Sequence, residues 1–463
     1  MKKRIFLSII CNILSILSMI YIIKLGILPN KILSIIVILL IGINIIIWIL
    51  NTRKKIGFKT IGILMSILLI IGNLGATYFL YVTDNFLNKS FSGKSIETIK
   101  YNIVALKENH LTEKDIKGNL GTHNNLIYKK QIEKEIKKQY KVTIKEYKMM
   151  NEMYNELLSN NIKFVIVEST SYNVIKEFDK EVKEKTIVIK EWKIQKKRTA
   201  KVVKKEQPFN IYIVGADFAG LNDFNMLVTI NPEEKKVLLT SIPRDYHIEV
   251  VGYGMEDNIT YMSALGIDTS IRSLEKLFNT TIDYYVKIDT SSLVNLVDEI
   301  GGIEFCSNYS FTTTHAQVIG TYNDYLGKKL YVRKGCYHYN GLETLTIARE
   351  RKNIPGSDVA RQENCRKILM AILNKMKTES VTNYSHLLET LSSSYETTIP
   401  RNRIEEIGQD ALSSNSKWTI SEYIVTGEST IGDVHLGSAR DYIMIPNMST
   451  VEEAKTKIHE LGK

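Results

Sequence analysis

Three apolar runs near the N-terminus, residues 5–23, 32–50 and 60–82, constrain this chain more than any other feature. Each is close to the roughly 20 residues a helix needs to cross a bilayer, and no acidic residue occurs before Asp84. A cleaved signal peptide does not fit, because the run repeats and no small-residue cleavage site follows the first. Helices of a buried protein core are the alternative to membrane spans. Lys2, Lys3 and Arg4 precede the first run, and Arg53, Lys54, Lys55 and Lys59 separate the second from the third, whereas Lys24 and Lys31 are the basic residues between the first and second. Dense basic clusters stay on the cytoplasmic side. The reading is a multi-pass cell-membrane protein with a cytoplasmic N-terminus and everything after Tyr81 outside.

The net charge of +11 resembles a nucleic-acid signal until it is divided along the chain. Residues 1–83 carry +9, residues 84–206 carry 27 basic against 17 acidic side chains, and residues 207–463 carry −8. The C-terminal half is acidic and expected outside the cell, which excludes nucleic acid as a partner. The lysine-rich middle faces anionic lipid head groups or wall polymer, or is simply a solvated helix face. No cysteines form a CxxC pair and the eight histidines approach no zinc spacing. Cys306 and Cys336 flank one excursion and are either a disulfide or two buried thiols.

After a polar exit from Asp84 to about Ser95, residues 99–168 alternate strand and helix: strands at Ile99–Leu106, Tyr140–Ile144 and Phe164–Glu168, helices at Ile127–Lys138 and Tyr147–Ser159. That pattern predicts a small α/β domain with a parallel or mixed sheet. A strand from Ile187 and a linker lead to Phe209. There FNIYIVGAD opens a meander whose later strands are Met226–Ile230 and Val237–Ser241. Asp217 and Asp223 share the loop after the first of these strands. They serve turn chemistry or hold a Mg²⁺, which takes one or two carboxylates plus phosphate. Pro243 ends the third strand and delivers Arg244 and Asp245 at the same edge. Helices are expected at Ser270–Phe278 and Ser291–Ile300, a strand at Tyr284–Ile288, and a long polar excursion from Ser307 to Gly327.

The stretch ARERKNIPGSDVARQE, residues 348–363, places Arg349, Arg351 and Arg361 between two apolar runs. A helix from Gly341 gives way near Arg349, and in extended backbone Arg349 and Arg351 face one side. Ser357 and Asp358 start a helix that runs to about Lys377, with Arg361 in its first turn. Three guanidinium forks at a helix N-terminus suit a phosphate or pyrophosphate. A solvated surface salt-bridged by Glu350, Asp358 and Glu363 is the alternative.

The motifs IYIVGAD, NDFNMLVTINPEEKKVLLTSIPRD, IDYYVKID, LVDEIGGI, YNGLETLTIARERK and DVARQE, in this order over about residues 207–378, resemble the LytR-CpsA-Psr family of membrane-anchored wall-polymer ligases. The preceding segment is similar to the CpsA-like branch, which carries an accessory domain. The resemblance implies an α/β/α domain with a mixed central sheet and a hydrophobic groove for a polyprenyl chain. The organisation expected is a transmembrane region (1–83), an extracellular accessory α/β domain (84–206), a catalytic domain (207–378) and a C-terminal extension packed on it (379–463). The implied activity moves a glycopolymer from undecaprenyl pyrophosphate to peptidoglycan muramic acid with Mg²⁺. By matched position, Arg244, Arg349, Arg351 and Arg361 would bind pyrophosphate, Asp217 and Asp223 the metal, and Asp245 would act beside Arg244. The chain departs from the family pattern in a shorter Asp217–Asp223 loop with Leu221 where arginine is frequent, and in Ala360 for glycine. Val286, Leu293, Leu296, Ile368, Leu369 and Ile372 would wall the groove or are ordinary core. A non-catalytic regulator that binds the lipid pyrophosphate is the rival reading.

Overall fold

The computed structural model describes residues 2–124, 126, 128–148, 150–199, 203–204, 206–218, 220–318, 327–376, 395–413, 418–436 and 440–462. The chain forms two compact units, one built on residues 1–94 with 398–418 and the other on 95–378 with 395–397 and 419–463.

In the first unit, α1 (Lys2–Leu25), α2 (Asn30–Thr52) and α3 (Ile56–Ser90) are each long and apolar enough to cross a membrane. Ser8, Cys11, Ser15 and Ser18, spaced three or four apart on α1, are buried together with Leu25 at its end, whereas Phe6, Ile13, Ile38, Leu39, Leu68 and Ile71 point outward. Ser15 Oγ accepts from Asn44 (2.9 Å) and Asn73 (3.0 Å), and Asn51 donates to Ser8 (2.9 Å) and Ser66 (3.0 Å). Polar side chains inside and apolar ones outside is the distribution of helices packed in lipid. Only 11% of the apolar windows of α2 and α3 is buried, so the buried-core alternative does not describe them.

α3 continues six residues past Asp84, where the sequence predicted a polar exit. Asp84 there accepts from Lys24 (2.6 Å) and from Arg401 (2.7 Å), which opens α13 (Arg401–Ser413). Arg401 also reaches Lys24 O (3.0 Å), Gln409 donates to Gly26 O (2.5 Å), and Ile404 packs on Leu25, Leu80 and Leu87. Gly26 and Gly408 admit this approach: a Cβ would lie 2.9 Å from Glu405 or 2.7 Å from Ile27 respectively.

The second unit begins with a five-stranded sheet ordered β3-β2-β4-β1-β5, from β1 (Lys94–Leu106), β2 (Lys117–His123), β3 (Lys141–Tyr147), β4 (Phe164–Glu168) and β5 (Thr186–Thr199). β2 runs parallel to β3 and β4, and β1 antiparallel to β4, so the sheet is mixed as expected. α4 (Lys129–Gln139), α5 (Met150–Leu158), α6 (Ser169–Phe178) and α7 (Lys180–Lys185) accompany it. β2 was not legible: GNLGTH has no alternation, and Gly121 is needed because a Cβ would meet Ile162 at 2.7 Å. The helix expected from Tyr147 starts at Met150, since Tyr147 still pairs in β3.

The larger sheet is ordered β16-β11-β6-β7-β8-β17. β6 (Phe209–Ala216), β7 (Asn222–Asn231) and β8 (Lys236–Ile242) form the predicted antiparallel meander. β11 (Tyr284–Asp289) lies parallel to β6, and β17 (Thr419–Ile424) parallel to β8, while β16 (Tyr395–Thr397) closes the other edge antiparallel. Along β6, Tyr212 and Val214 enter a core with Leu274 and Phe278 of α9 (Ile267–Phe278) and Val451 and Ile458 of α14 (Met448–Leu461). Ile213 and Gly215 face α10 (Thr290–Glu299) and α12 (Ser357–Met376). Successive strand residues point to opposite faces, so the domain is the expected α/β/α sandwich.

Cys306 on β12 (Ile303–Ser307) is opposite Cys336 on β15 (Gly335–Tyr339), and the two form a disulfide. The polar excursion is not one loop. β13 (Phe311–Ala316) pairs with β14 (Lys329–Val332), because the β-branched run Thr312–Thr314 is a strand former and the buried Thr313 hydroxyl accepts from Leu330 N at 2.9 Å. Its tip, 319–326, and the helix end expected at Lys377 lie outside the described residues. The 379–463 extension, expected as one piece on the preceding domain, is divided: α13 joins the N-terminal helices, whereas β17, the hairpin β18 (Gly427–Asp433) and β19 (Arg440–Pro446), and α14 join the sandwich.

Candidate active site: an arginine cluster beside an apolar cavity

The sheet brings the predicted residues to one edge. β6 ends at Ala216, and Asp217 closes a tight loop: its N–H donates to Leu221 O (2.9 Å), its carboxylate accepts from Leu221 N (2.8 Å), and Gly220 turns at φ +89°. Leu221 is buried in the core, which accounts for an apolar residue there. Asp223 follows at the start of β7, and Arg244, delivered beyond Pro243, donates to its carboxylate. Arg244 Nε also faces Asp245 Oδ1 at 3.2 Å. Asp245 Oδ2 in turn lies 3.7 Å from Arg351.

α11 (Gly341–Arg349) starts with a capping box between Asn340 and Glu343 and stops after Arg349, because Glu350 turns inward. Glu350 is fully buried and accepts from Thr314 N, Thr314 Oγ1 (3.0 Å), Lys352 N (2.8 Å) and Asn353 N (2.9 Å). Anchoring Glu350 on β13 leaves its neighbours Arg349 and Arg351 to the other side. Arg349 lines the cavity, its guanidinium 5.9 Å from the Phe218 ring.

Arg361 differs from expectation. It is the fifth residue of α12, past the first turn, with its side chain only 3% exposed. Two of its nitrogens meet Asp358 Oδ1 at 2.9 and 2.8 Å, one donates to Asp223 O at 2.8 Å, and another lies 3.3 Å from Asp223 Oδ2. It is a buried strut between α12 and β7. A solvated, salt-bridged surface is therefore not what this stretch forms: Glu350 and Asp358 are buried, and Glu363 pairs with Lys367 instead.

The electrostatics follow from this packing. Burial pushes the Asp223 carboxyl up, but Arg244, Arg361 and Arg351 outweigh it and hold the group well below the usual carboxylate range. For Asp245, burial wins over Arg244 and its pKa is raised, with Asp358 adding to the rise. Arg351 is lowered, first by Arg244 and then by burial. Arg361 is raised because Asp358 and Asp223 overcome its desolvation.

Behind the arginines runs a cavity of about 150 Å³ lined by Ile213, Phe224, Leu293, Leu296, Leu345, Ile368, Leu369 and Ile372, with Asp217, Asp223, Arg349 and Arg361 at its polar end. Five of the six apolar positions expected to wall a groove line it. Val286 instead sits in mid-sheet, paired with Ile213 and Thr397. Two residues that organise the site were not picked out as such. Asp358 had a signal, an aspartate one helical turn before an arginine. Glu350 had none, since a glutamate between arginines reads as surface.

Asp217 and Asp223 fit a Mg²⁺ by donor type: two carboxylates at the polar end of one cavity, to which waters and phosphate oxygens would add the remaining ligands. Asp223 is shared with Arg244 and Arg361, so a metal would compete with them. The cluster Glu304, Cys306 and Cys336 is no rival, its sulfurs being joined in the disulfide.

Comparison with known proteins gives the family. Over 208 residues the chain is 28% identical to the polyisoprenyl-teichoic acid–peptidoglycan teichoic acid transferase TagU of Bacillus cereus, a match covering 44% of this chain and 64% of that protein. With TagU of Bacillus licheniformis it is 26% identical over 244 residues, covering 51% and 74%. Among solved structures, TagV of Bacillus subtilis is similar at 25% identity over 56% of this chain and 98% of that one, TM-score 0.46. TagT bound to LI-WTA is similar at 21% identity over 56% and 93%, TM-score 0.45. The LytR_cpsA_psr family model matches residues 167–458, the larger part of the chain and all of the arginine site. The chain belongs to the LytR_cpsA_psr family.

Proposed function

We propose that the chain is a phosphotransferase that moves a glycopolymer from a polyprenyl-pyrophosphate carrier, undecaprenyl pyrophosphate by family resemblance, to a muramic acid hydroxyl of peptidoglycan. One observation carries this reading: guanidinium groups gather at the polar end of a cavity whose interior is apolar, Arg349 at the C-terminal end of α11 and Arg361 in α12 lining it, and Arg244, just beyond β8, paired with Asp223 of the same lining. An amphiphile with a pyrophosphate head and a hydrocarbon tail matches both halves. Membrane spans with the sandwich outside would bring the site to the compartment that holds both substrates.

In this reading the acceptor hydroxyl attacks the phosphorus next to the sugar. A phosphodiester P–O bond forms, the phosphoanhydride bond breaks, and polyprenyl phosphate leaves with the electron pair while the hydroxyl loses its proton. Arg349 and Arg351 bind the phosphate oxygens, Arg244 joins them from the neighbouring strand, and Arg361 holds Asp223 and α12 in place. Asp245 orients Arg244 and Arg351. Fixed cationic donors stabilise charge developing on the phosphates without a covalent nucleophile. A Mg²⁺ on Asp217 and Asp223 would supply further charge neutralisation.

The test is incubation of the full chain in detergent with a short-chain prenyl-pyrophosphate oligosaccharide, muropeptide and Mg²⁺, with mass spectrometry of the products. A phosphodiester-linked conjugate, lost in Arg351→Ala, is the expected result. Tight lipid-pyrophosphate binding with no conjugate would leave a binding protein and end the transfer reading.

A further inference from the structure

We propose that the exposed face of α4, carrying Lys130, Lys134, Lys137 and Lys138, is a second binding site for the substrate, a track for the phosphate-bearing polymer chain beyond its pyrophosphate end. The inference rests on the transfer reading and adds to it a substrate class, a polyanion.

α4 turns Ile132 and Ile136 into the core of the smaller sheet and leaves these four lysines exposed along a shallow groove that includes Glu133. Lys130, Lys134 and Lys138 recur every fourth residue, so the row rises by about 6 Å per lysine along one helix side. Neighbouring lysines are used differently: Lys129 pairs with Glu146 at 2.5 Å and Lys145 with Glu156 at 2.9 Å. Among the described residues the four have no carboxylate within ion-pairing distance, and the helix's own acids, Glu133 and Glu135, leave it net basic. Two of the four stand in the last turn, where the helix dipole favours cations, but the row extends well upstream of it.

The charge distribution gives the row a direction of use. Residues 207–463, which hold the pyrophosphate site, carry −8, and a polyanion attached there is repelled along their surface. Residues 95–206, with 25 basic against 16 acidic side chains, belong to the same compact unit and attract it. A polymer with a phosphate in every repeat meets regularly spaced cations, whereas a neutral glycan gains nothing from them. Anionic membrane is the less suitable occupant, because α4 exposes no large apolar side chain to insert between head groups.

The experiment measures binding of a fluorescent poly(glycerol phosphate) oligomer, without lipid or pyrophosphate, to the full chain in detergent over a salt series. The parent is compared with the variant Lys130→Gln/Lys134→Gln/Lys137→Gln/Lys138→Gln and with Lys328→Gln/Lys329→Gln/Lys334→Gln/Lys457→Gln, which removes equal charge from the acidic part. The α4 variant is expected to bind at least tenfold more weakly at low salt, with a log–log salt slope shallower by about 3 if four phosphate contacts are lost. Equal weakening in both variants reduces the effect to net charge and overturns the track. So does a parent that binds the oligomer no better than neutral dextran, or one whose α4 lysines act only on anionic vesicles. A short prenyl-pyrophosphate disaccharide should bind parent and α4 variant alike. Its failure to bind the parent while the oligomer binds would remove the transfer reading and leave the lysine site standing.

Discussion

Replacing Arg361 with alanine should unfold the domain before it disables the chemistry, whereas replacing Arg351 should do the reverse. Arg361 and Asp358 are each about 3% exposed, and the pair is joined by two contacts of 2.8–2.9 Å with two more to Asp223. Removing the cation leaves Asp358 buried without its partner, a change that costs about 3–5 kcal/mol. For a domain of this size that is a fall in Tm of roughly 6–20 °C. Arg351 is 35% exposed, 3.7 Å from Asp245, and suffers repulsion from Arg244, so its loss costs no more than about 1 kcal/mol. It should instead weaken prenyl-pyrophosphate binding by roughly tenfold or more, the worth of one charge-assisted contact. Differential scanning fluorimetry of the full chain in detergent, beside calorimetric titration, reads both. The double change Asp358→Asn/Arg361→Met should recover part of the lost stability, because no buried charge is left alone. Equal melting of Arg361→Ala and Arg351→Ala would refute the division between strut and ligand.

Three further outcomes follow from the rest of the molecule. Burial pushes the Asp257 carboxyl up to about 7 despite N–H donors from His435, Leu436 and Asn258. A folded pKa above the unfolded one gives stability that is full in acid and lost as pH rises from about 4 to 7; denaturant titrations should show that slope, and Asp257→Asn should flatten it. Intact mass of the full chain should rise by two hydrogens on reduction of Cys306–Cys336, and a 30-residue separation puts the accompanying loss at roughly 3–4 kcal/mol. Arg401→Ala should strip a buried Asp84 of one partner and make α13 more sensitive to limited proteolysis than in the parent, while Lys455→Ala, at a surface pair, should not.

The long apolar runs, the meander and the arginines were legible because each obeys a local rule: helix length against bilayer thickness, period-2 strands with tight turns, and a proline that stops a strand before Arg244. What escaped was decided by contacts distant in sequence. β2 has no hydrophobic alternation, since Gly121 serves close packing with Ile162 rather than a core face. The burial of Arg361 depends on Asp223, 138 residues away, and a sequence window shows only the helix around it. The fate of α13 turned on Asp84, more than 300 residues upstream. Glu350 looked like surface because the strand that consumes its oxygens, β13, was hidden in a run of threonines.

Asp223 is where the two expected roles of the site collide. Its carboxylate is claimed by Arg244 and Arg361, and the same oxygens are the ones a divalent cation would take. Arg361 has Asp358 to fall back on, but Arg244 has Asp245, whose carboxyl is raised and therefore the weaker anion. A cation that draws Asp223 away thus releases Arg244 more than Arg361, and the released guanidinium is free for a phosphate oxygen. Binding of metal and of pyrophosphate should then be positively coupled, and by linkage each must raise the affinity of the other by the same factor. Typical couplings are about 1–3 kcal/mol, or 5- to 150-fold. Calorimetric titration of a short prenyl pyrophosphate with and without Mg²⁺, and of Mg²⁺ with and without the lipid, measures both arms in the absence of any acceptor. Asp223→Asn should raise lipid affinity in metal-free buffer, because Arg244 is no longer held, and should abolish the dependence on Mg²⁺. An Asp223→Asn protein whose lipid affinity still climbs with Mg²⁺ as the parent's does would place the metal elsewhere and leave Asp223 as an arginine anchor alone.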